Sequence, residues 1–269
     1  AFDGDDELIG SYTFNDGVDS VFYFSHKFWV FDDVFKYGQP TSKIEELFQL
    51  REDHYSGTPH EGGLTDADGE PLHSRQVLVN FMDNHDVPRF LYDMPSPAAL
   101  HNALIYLLTI DGIPCIYYGT EQNFSGGNDP HNREDLWSTG YDETGETFRL
   151  IQHLISIRKE QEPLRRGTMT IRWASERIDD EPDAGIFAFE RTYGGETVLV
   201  VINVSDDHAS ETSYAWDGGD HMQTSFAPGA NLVNLFADSS EVDDEVTVDG
   251  DGRLNVTVPA RGAKIYVAQ

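Results

Sequence analysis

The run Val77-Leu78-Val79-Asn80-Phe81-Met82, closing on Asp83-Asn84-His85-Asp86, constrains the fold more than any other stretch of the chain. Its apolar part has the length of a strand and too few residues for a helix, and Pro88 prevents regular continuation. A buried strand that ends in a burst of His and Asp is the pattern of an α/β enzyme, in which chemistry sits just past the carboxyl ends of parallel strands. The competing reading is that these polar residues only make a turn and cap a helix. The surrounding elements decide how much weight each reading carries.

Helical and strand periods alternate on both sides of this run. Val18–Phe24 reads as a strand, and 25–37 as an aromatic-rich segment of helix or loop. Ser42 with Glu45 three residues on forms a capping box for a helix carrying Ile44, Leu47 and Phe48. Residues 56–74 are a polar loop. After the run, Ser96 caps a helix with Pro97 at its first position, Leu100, Leu104, Leu107 and Leu108 line its apolar side, and Gly112 closes it. The strand around Cys115 comes next, then a long loop from Gly119 to Glu143 and a helix from Glu146 to about Gln161. Strands and helices at these spacings predict βα units and a parallel sheet.

The pattern changes near Arg165. Beyond it the sequence shows no helix but short strands, among them Gly185–Arg191 and Thr197–Val204 joined by Gly194-Gly195 as a hairpin, then 245–248, 254–258 and 263–267. This predicts two domains, 1–165 with a parallel sheet and 166–269 as an antiparallel sandwich. Residues 1–165 hold three recognisable βα units, whereas a closed barrel needs eight and usually ~250 residues.

Composition narrows the partners. The chain has 18 basic against 48 acidic residues, a formal charge of −30, which repels nucleic acid and anionic membranes alike. Lysine occurs only at positions 27, 36, 43, 159 and 264, and the acids are spread along the chain rather than gathered in a tail. With 39% hydrophobic residues the chain is nonetheless core-forming. An acidic, lysine-poor globular composition resembles that of proteins from extreme halophiles. No apolar run reaches membrane-spanning length. No signal peptide is visible and residue 1 is not methionine, so the expectation is that the gene product starts upstream.

Two clusters can carry chemistry. His85 and Asp86 come directly after a strand, and His85 can serve as donor, acceptor, base or ligand. Gly126-Gly127-Asn128-Asp129-Pro130-His131-Asn132-Arg133-Glu134 lies beyond the next strand and should open on the same face. There Asp129 and Arg133 either clamp a polar ligand or pair with each other as a loop bridge. Cys115, the sole cysteine, sits in an apolar strand and reads as a buried, inert thiol. His54, His60 and His73 have no standard ligand spacing, and Asp249-Gly250-Asp251-Gly252 reads as a hairpin turn rather than a calcium loop. Metal sites are therefore expected to be absent from this chain.

These motifs match a known family. Phe81-Met82-Asp83-Asn84-His85-Asp86 with Pro88-Arg89-Phe90 resembles the fourth conserved region of the α-amylase family of glycoside hydrolases. The stretch from Asp111 to Gln122 resembles that family's eighth barrel strand and the loop after it, and Gly126–Pro130 with Asn132-Arg133-Glu134 continues the match. Residues 166–269 are similar to its C-terminal Greek-key domain. The resemblance implies strands six to eight of a (β/α)8 TIM barrel, then an antiparallel Greek-key β-sandwich. Asp83 and Val87 are mild departures from the commonest family residues.

The resemblance also implies roles. Asp86 is the third catalytic carboxylate, a transition-state stabiliser. His85 hydrogen-bonds the same sugar, and Asp129 and Arg133 line a neighbouring donor subsite. The reaction implied is retaining endo-hydrolysis of α-1,4-glucosidic bonds in starch-like glucans by a carboxylate nucleophile and a general acid. Neither carboxylate is present in these residues. Ala1–Asp5 resembles the residues directly after the family's general-acid Glu, and the nucleophile would lie further upstream, as would the ligands of the family's structural Ca2+. The chain alone is accordingly expected to be inactive and to need the N-terminal half of the barrel, in the same gene product or as a separate chain. Its substrate would be an α-glucan or maltooligosaccharide, and its location extracellular or the cytoplasm of a salt-in halophile. Two alternatives stay open: a non-catalytic glucan-binding or assembly module, and a glucosyltransferase of the same family.

Overall fold

The computed structural model describes residues 4–15, 17–93, 96–214, 219–237 and 244–269. The implied match of Ala1–Asp3 lies outside them. The chain divides into two compact units, one of residues 1–37, 43–103 and 111–151, the other of 38–42, 104–110 and 152–269.

The elements run in the order α1 (Asp6–Ser11), α2 (Phe24–His26) continuing into a π-helix (Lys27–Lys36), α3 (Ser42–His54), β1 (Val79–Phe81), α4 (Pro97–Thr109), β2 (Ile113–Cys115), α5 (Glu146–Glu160) and α6 (Glu162–Arg166). The later strands are β3 (Thr168–Ala174), β4 (Ile186–Tyr193), β5 (Glu196–Asn203), β6 (Ser210–Glu211), β7 (Met222–Gln223), β8 (Asn231–Asn234), β9 (Glu245–Thr247), β10 (Arg253–Leu254), β11 (Thr257–Val258) and β12 (Ala263–Ala268).

In the first unit β1 and β2 are parallel, with Asn80 opposite Pro114. A third extended segment joins β1 on its other side: Phe22 bridges Val79 in parallel, Tyr23 N–H donates to Val79 O at 2.9 Å and Val79 N–H to Val21 O at 3.0 Å. The strand expected over 18–24 thus shrinks to a single bridge, because the chain turns into helix at Phe24. Behind β1, buried polar groups are satisfied in series. His26 Nδ1 meets Asn80 Oδ1 at 2.7 Å, Asn80 Nδ2 donates to Asp111 O at 2.7 Å, and Asp111 takes a bidentate pair from Arg51 at 2.9 and 3.0 Å. Gly112 closes onto this network. Its φ is +78°, and a Cβ there would stand 2.6 Å from Leu78 O. It is glycine because β1 passes so close, a stronger reason than the helix end that the sequence suggests. Asp6 ties α1 down: buried, it accepts from the hydroxyls of Ser25 and Tyr55 and pairs with His54 at 2.7 Å.

Two caps differ in outcome. Ser96 caps α4 as expected, its Oγ accepting from Ala99 N–H at 3.2 Å. Ser42 instead lies inside α3 as its first residue. The buried Thr41 before it donates its hydroxyl to Ile186 O at 2.6 Å and accepts from Ser175 N–H at 2.8 Å. The residue just before the helix is thus engaged in tertiary bonds, and the helix starts one residue earlier than a Ser42 cap requires.

The second unit is built on a six-stranded antiparallel sheet in the order β3-β4-β5-β12-β8-β9. The expected hairpin is present, with Tyr193 opposite Glu196 and both Gly194 and Gly195 at positive φ, the backbone of a two-residue primed turn. One face, with Trp173, Ile186, Ala188, Leu199, Val201 and Tyr266, buries against Met222, Phe226, Leu254, Val256 and Val258 from the short β10–β7 and β11–β6 ladders and their connections. The opposite face presents Phe187 and Phe189, which take Tyr106 edge-on with ring centroids 6.0 and 6.3 Å apart. Both faces are covered, so β4 and β5 are buried almost throughout and lack the polar alternation of a one-sided sheet. The two charged residues this buries on β4 are satisfied: Glu190 accepts from Arg172 and Ser225 N–H, and Arg191 donates to Thr109 O and Gly167 O. The expected strand 254–258 is broken into β10 and β11, which pair with different partners.

Asp249–Gly252 is the expected hairpin turn, with Asp249 N–H donating to Arg253 O and Asp249 Oδ1 accepting from the N–H of Asp251 and of Arg253. Asp66–Glu70, within the loop expected over 56–74, repeats this bonding pattern. Among the described residues no helix is long and apolar enough to cross a membrane.

Candidate functional site

Two loops, one after β1 and one after β2, meet beyond the carboxyl ends of these parallel strands. The first is a tight turn. Asn84 Oδ1 accepts from Asp86 N–H at 2.7 Å, and Asn84 pairs with Val87 across the turn. His85 and Asp86 ride at its tip, both largely exposed, with His85 Nε2 3.5 Å from Asp86 Oδ1. The polar burst therefore does make a turn, and the same turn displays its His and Asp to solvent. Asp83 has a different role. It is buried, accepts from Phe90 N–H at 2.9 Å and from the Thr120 hydroxyl at 3.4 Å, and burial pushes its carboxyl above the usual carboxylate range.

The second loop is pinned to the first by three side chains. Asn132, fully buried, donates from Nδ2 to Val87 O at 2.9 Å and to Asn84 O at 3.3 Å. Arg133 donates to His85 O at 3.2 Å from Nη2 and approaches Asp129 Oδ1 at 3.4 Å from Nε. Both partners of that ion pair remain about half exposed. The pairing expected as one alternative is therefore present, without closing either side chain off from water.

Arg89 is the third pin and the deepest. Its guanidinium is fully buried, donating to Glu134 Oε2 at 3.0 Å and to Tyr118 O at 2.7 Å while lying 4.0 Å from the ring centroid of Tyr117. Glu134 in turn accepts from Ser125 N–H at 3.1 Å and Gly126 N–H at 2.6 Å, and Arg89 N–H donates to Gly126 O at 3.0 Å. Gly126 is required by this closeness: a Cβ would stand 1.8 Å from His131 O. A buried arginine with a carboxylate, a carbonyl and an aromatic face is a rigid joint, because its planar fork meets several partners at once.

His85, Asp86, Asp129 and Arg133 thus stand together on the face predicted for them. The residues that hold them in place, Arg89, Asn132 and Glu134, have no role assigned by sequence. Their signal is present as charge and amide inside otherwise recognisable motifs, but nothing local shows their burial. Cys115 is half-buried, and burial raises its thiol further above neutrality. His54 and His60 are bound to Asp6 and to Thr13 O. Among the described residues no three His, Cys, Asp or Glu side chains converge to hold a metal ion.

The arrangement can bind a neutral, hydroxyl-rich ligand: two carboxylates accept, a guanidinium donates, and an imidazole does either. Residues 178–269 match the sequence profile of the α-amylase C-terminal all-β domain. A cyclomaltodextrin glucanotransferase of Bacillus sp. (strain 1-1) is 39% identical over 66% of this chain and 22% of its own length. An α-amylase of Niallia circulans is 30% identical over 82% of this chain and 38% of its own length. The crystal structure of an Anoxybacillus α-amylase superposes on 98% of this chain and 50% of its own with a TM-score of 0.74 at 24% identity, a likeness of fold. The chain therefore spans well under half the length of these two sequence relatives. The chain is thus a relative of the α-amylases and cyclomaltodextrin glucanotransferases, and its residues 178–269 match the α-amylase C-terminal all-β domain.

Proposed function

We propose that these residues are the closing part of a retaining α-amylase-type enzyme, comprising strands six to eight of a (β/α)8 barrel and a Greek-key sandwich. The observation that carries this reading is the pinned pair of loops, which places an exposed His85–Asp86 beside an exposed Asp129–Arg133 at the carboxyl ends of adjacent parallel strands. Asp86 accepts hydroxyl hydrogens of the sugar whose bond is broken, and its charge favours the ring as it becomes cationic. His85 bonds the same sugar, and Asp129 and Arg133 hold the neighbouring one.

The bond-breaking carboxylates are supplied from outside these residues, so the chain alone binds α-glucan without hydrolysing it. The rest of the barrel is its partner. Among the described residues the parallel pairing stops at Phe22 on one side and at β2 on the other, which leaves two backbone edges for further strands to cover. The family's calcium is likewise assigned to residues outside this stretch, and no step here passes through it.

The test is calorimetric titration of the chain with maltoheptaose, alongside a reducing-sugar assay on starch. We expect binding without product release, and an affinity about tenfold lower in Asp86→Asn, the loss of a charge-assisted bond. Asp86 is exposed, so the stability of this variant should stay within about 0.5 kcal/mol of wild type. Hydrolysis at an ordinary enzymatic rate by the chain alone would sink the claim of inactivity. Binding that yields no turnover even after an upstream barrel half is added would favour a glucan-binding module instead. Glucosyl transfer is the second reading, favoured by the 39% identity to a cyclomaltodextrin glucanotransferase. Product analysis of the completed enzyme separates cyclic or transferred products from linear hydrolysis products.

A further inference from the structure

Beyond Arg133 the second loop continues into a short 3-10 turn, Leu136–Thr139, and displays two aromatic residues that nothing so far explains. Trp137 is 68% exposed and Tyr141 61% exposed. Tryptophan is rarely left so open, since its ring carries more apolar surface than most side chains can offer to burial. The backbone beneath them is held locally. Ser138 Oγ donates to Asp135 O at 2.7 Å, Thr139 Oγ1 donates to Leu136 O at 2.8 Å and accepts from Tyr141 N–H at 3.0 Å, and Gly140 N–H donates to Trp137 O at 3.2 Å. Both rings therefore sit on ordered backbone, which lowers the entropy cost of using them.

We propose that Trp137 and Tyr141 form an outer aromatic platform that takes successive sugar rings of a long α-glucan chain as it leaves the Asp129–Arg133 pair. This rests on the reading of that pair as a glucan subsite, and it assigns the site a preference for polymeric over short substrates. Two observations select this occupant. The first is continuity: Trp137 stands four residues after Arg133, which places their Cα atoms at most about 14 Å apart. The second is charge. Between Arg133 and Arg149 the chain carries Glu134, Asp135, Asp142, Glu143 and Glu146 and no basic residue, so the segment stays acidic even with its two flanking arginines and disfavours an anionic ligand. Aromatic faces among carboxylates suit a neutral pyranose, whose C–H face covers a ring while its hydroxyls donate to oxygen. Tryptophan and tyrosine are also the residues that dominate binding energy where surfaces of mixed polarity meet.

The test uses the chain itself, with Trp137→Ala, Tyr141→Ala, Trp137→Phe and a double variant combining Asp129→Ala with Arg133→Ala. Affinity electrophoresis in gels containing amylopectin reads polymer binding, and calorimetric titration with maltotriose reads the inner subsite. Loss of about tenfold in polymer affinity in either alanine variant is expected, with maltotriose affinity within about twofold of wild type. Trp137→Phe should restore most of the polymer binding, and the double variant should lose both ligands. Unchanged retardation of Trp137→Ala by amylopectin overturns the platform. A fall in self-association in place of a fall in polymer binding, which would make the rings an interface with a second copy, overturns it as well. If the wild-type chain binds neither polymer nor maltotriose, the underlying glucan reading fails and takes the platform with it.

Discussion

The buried Arg89 and the partly exposed Glu134 form a joint between the two loops of the site, with Arg89 Nε 3.0 Å from Glu134 Oε2 and the other Glu134 oxygen accepting from two backbone N–H groups of the Gly126 loop. Through this pair the turn that carries Asp86 and the loop that carries Asp129 become one body. The exposed side chains can vary in rotamer, but their Cα positions are set by a contact in which the arginine is closed off from solvent.

Breaking the joint should therefore cost stability and ligand affinity together. Arg89→Leu leaves the Glu134 carboxylate without its counter-charge, and because Glu134 is partly open to water the cost should fall below the ~3–5 kcal/mol of a fully buried pair, at about 2 kcal/mol. Arg89→Lys keeps the charge but cannot reach Glu134 and Tyr118 O at once or lie flat over Tyr117, so it should rescue less than half of that loss. Urea denaturation midpoints at fixed salt measure both. Equal stability of the lysine variant and wild type would show that charge alone suffices.

His26 gives the chain an acid limit. Burial lowers its pKa to about 4, against a bonded Asn80 amide that raises it. The folded state therefore holds His26 neutral where the unfolded chain, near 6.5, has begun to bind a proton. Between these values the unfolded state binds more protons, so stability falls as pH drops from about 6.5 to about 4 and the contribution levels off below that. The full window is worth roughly 3 kcal/mol. His26→Gln, which retains an amide for Asn80, should lose less stability than wild type between about pH 7 and about pH 4.5. The same loss in both proteins would assign the acid sensitivity to other groups.

At Gly112 a methyl group has nowhere to go. The backbone is left-handed and the added Cβ would meet Leu78 O at 2.6 Å and Asn80 Nδ2 at 2.7 Å. Gly112→Ala should destabilise by about 2 kcal/mol or more, through strain at positive φ and through displacement of the Asn80 amide from His26 and Asp111. Gly145, whose Cβ would meet nothing within 4 Å, is the matched control. Gly145→Ala should shift the thermal midpoint by much less. If the two shifts are equal, closeness to β1 is not what selects glycine at 112.

The excess of 48 acidic over 18 basic residues should make stability depend on salt. Self-repulsion among carboxylates acts over about 10 Å at 0.1 M salt and only about 3 Å at 1 M. We expect the denaturation temperature to rise with sodium chloride up to molar concentrations, and potassium chloride to act similarly. Identical melting at about 0.05 M and about 2 M would remove the halophile-like composition from the account of this protein's stability.

Much of this architecture is legible in local chemistry. The Ser96 cap and Pro97 start of α4, the Gly194-Gly195 hairpin and the Asp249 turn each need only one or two residues to set the backbone, and the parallel pairing of the strands near Val79 and Cys115 follows from the helix that separates them. The four exposed site residues stand out because His and Asp after a buried strand, and Asp-Pro after a glycine pair, are unusual sequences. The broken strand at 254–258 and the distant bonds that Thr41 makes just before α3 are not legible, since each depends on a partner far away in the chain.

The sequence by itself determined which residues could do chemistry and on which kind of element they would ride, because strand period, turn residues and polar bursts act within a few positions. Only the tertiary structure decided that His85 and Asp86 stand beside Asp129 and Arg133, and that Arg89, Asn132 and Glu134 are what hold them there. Burial is the physical reason. An arginine in a sequence is a mobile surface charge until folding surrounds it with a carboxylate, a carbonyl and a ring, and no local pattern announces that it will be.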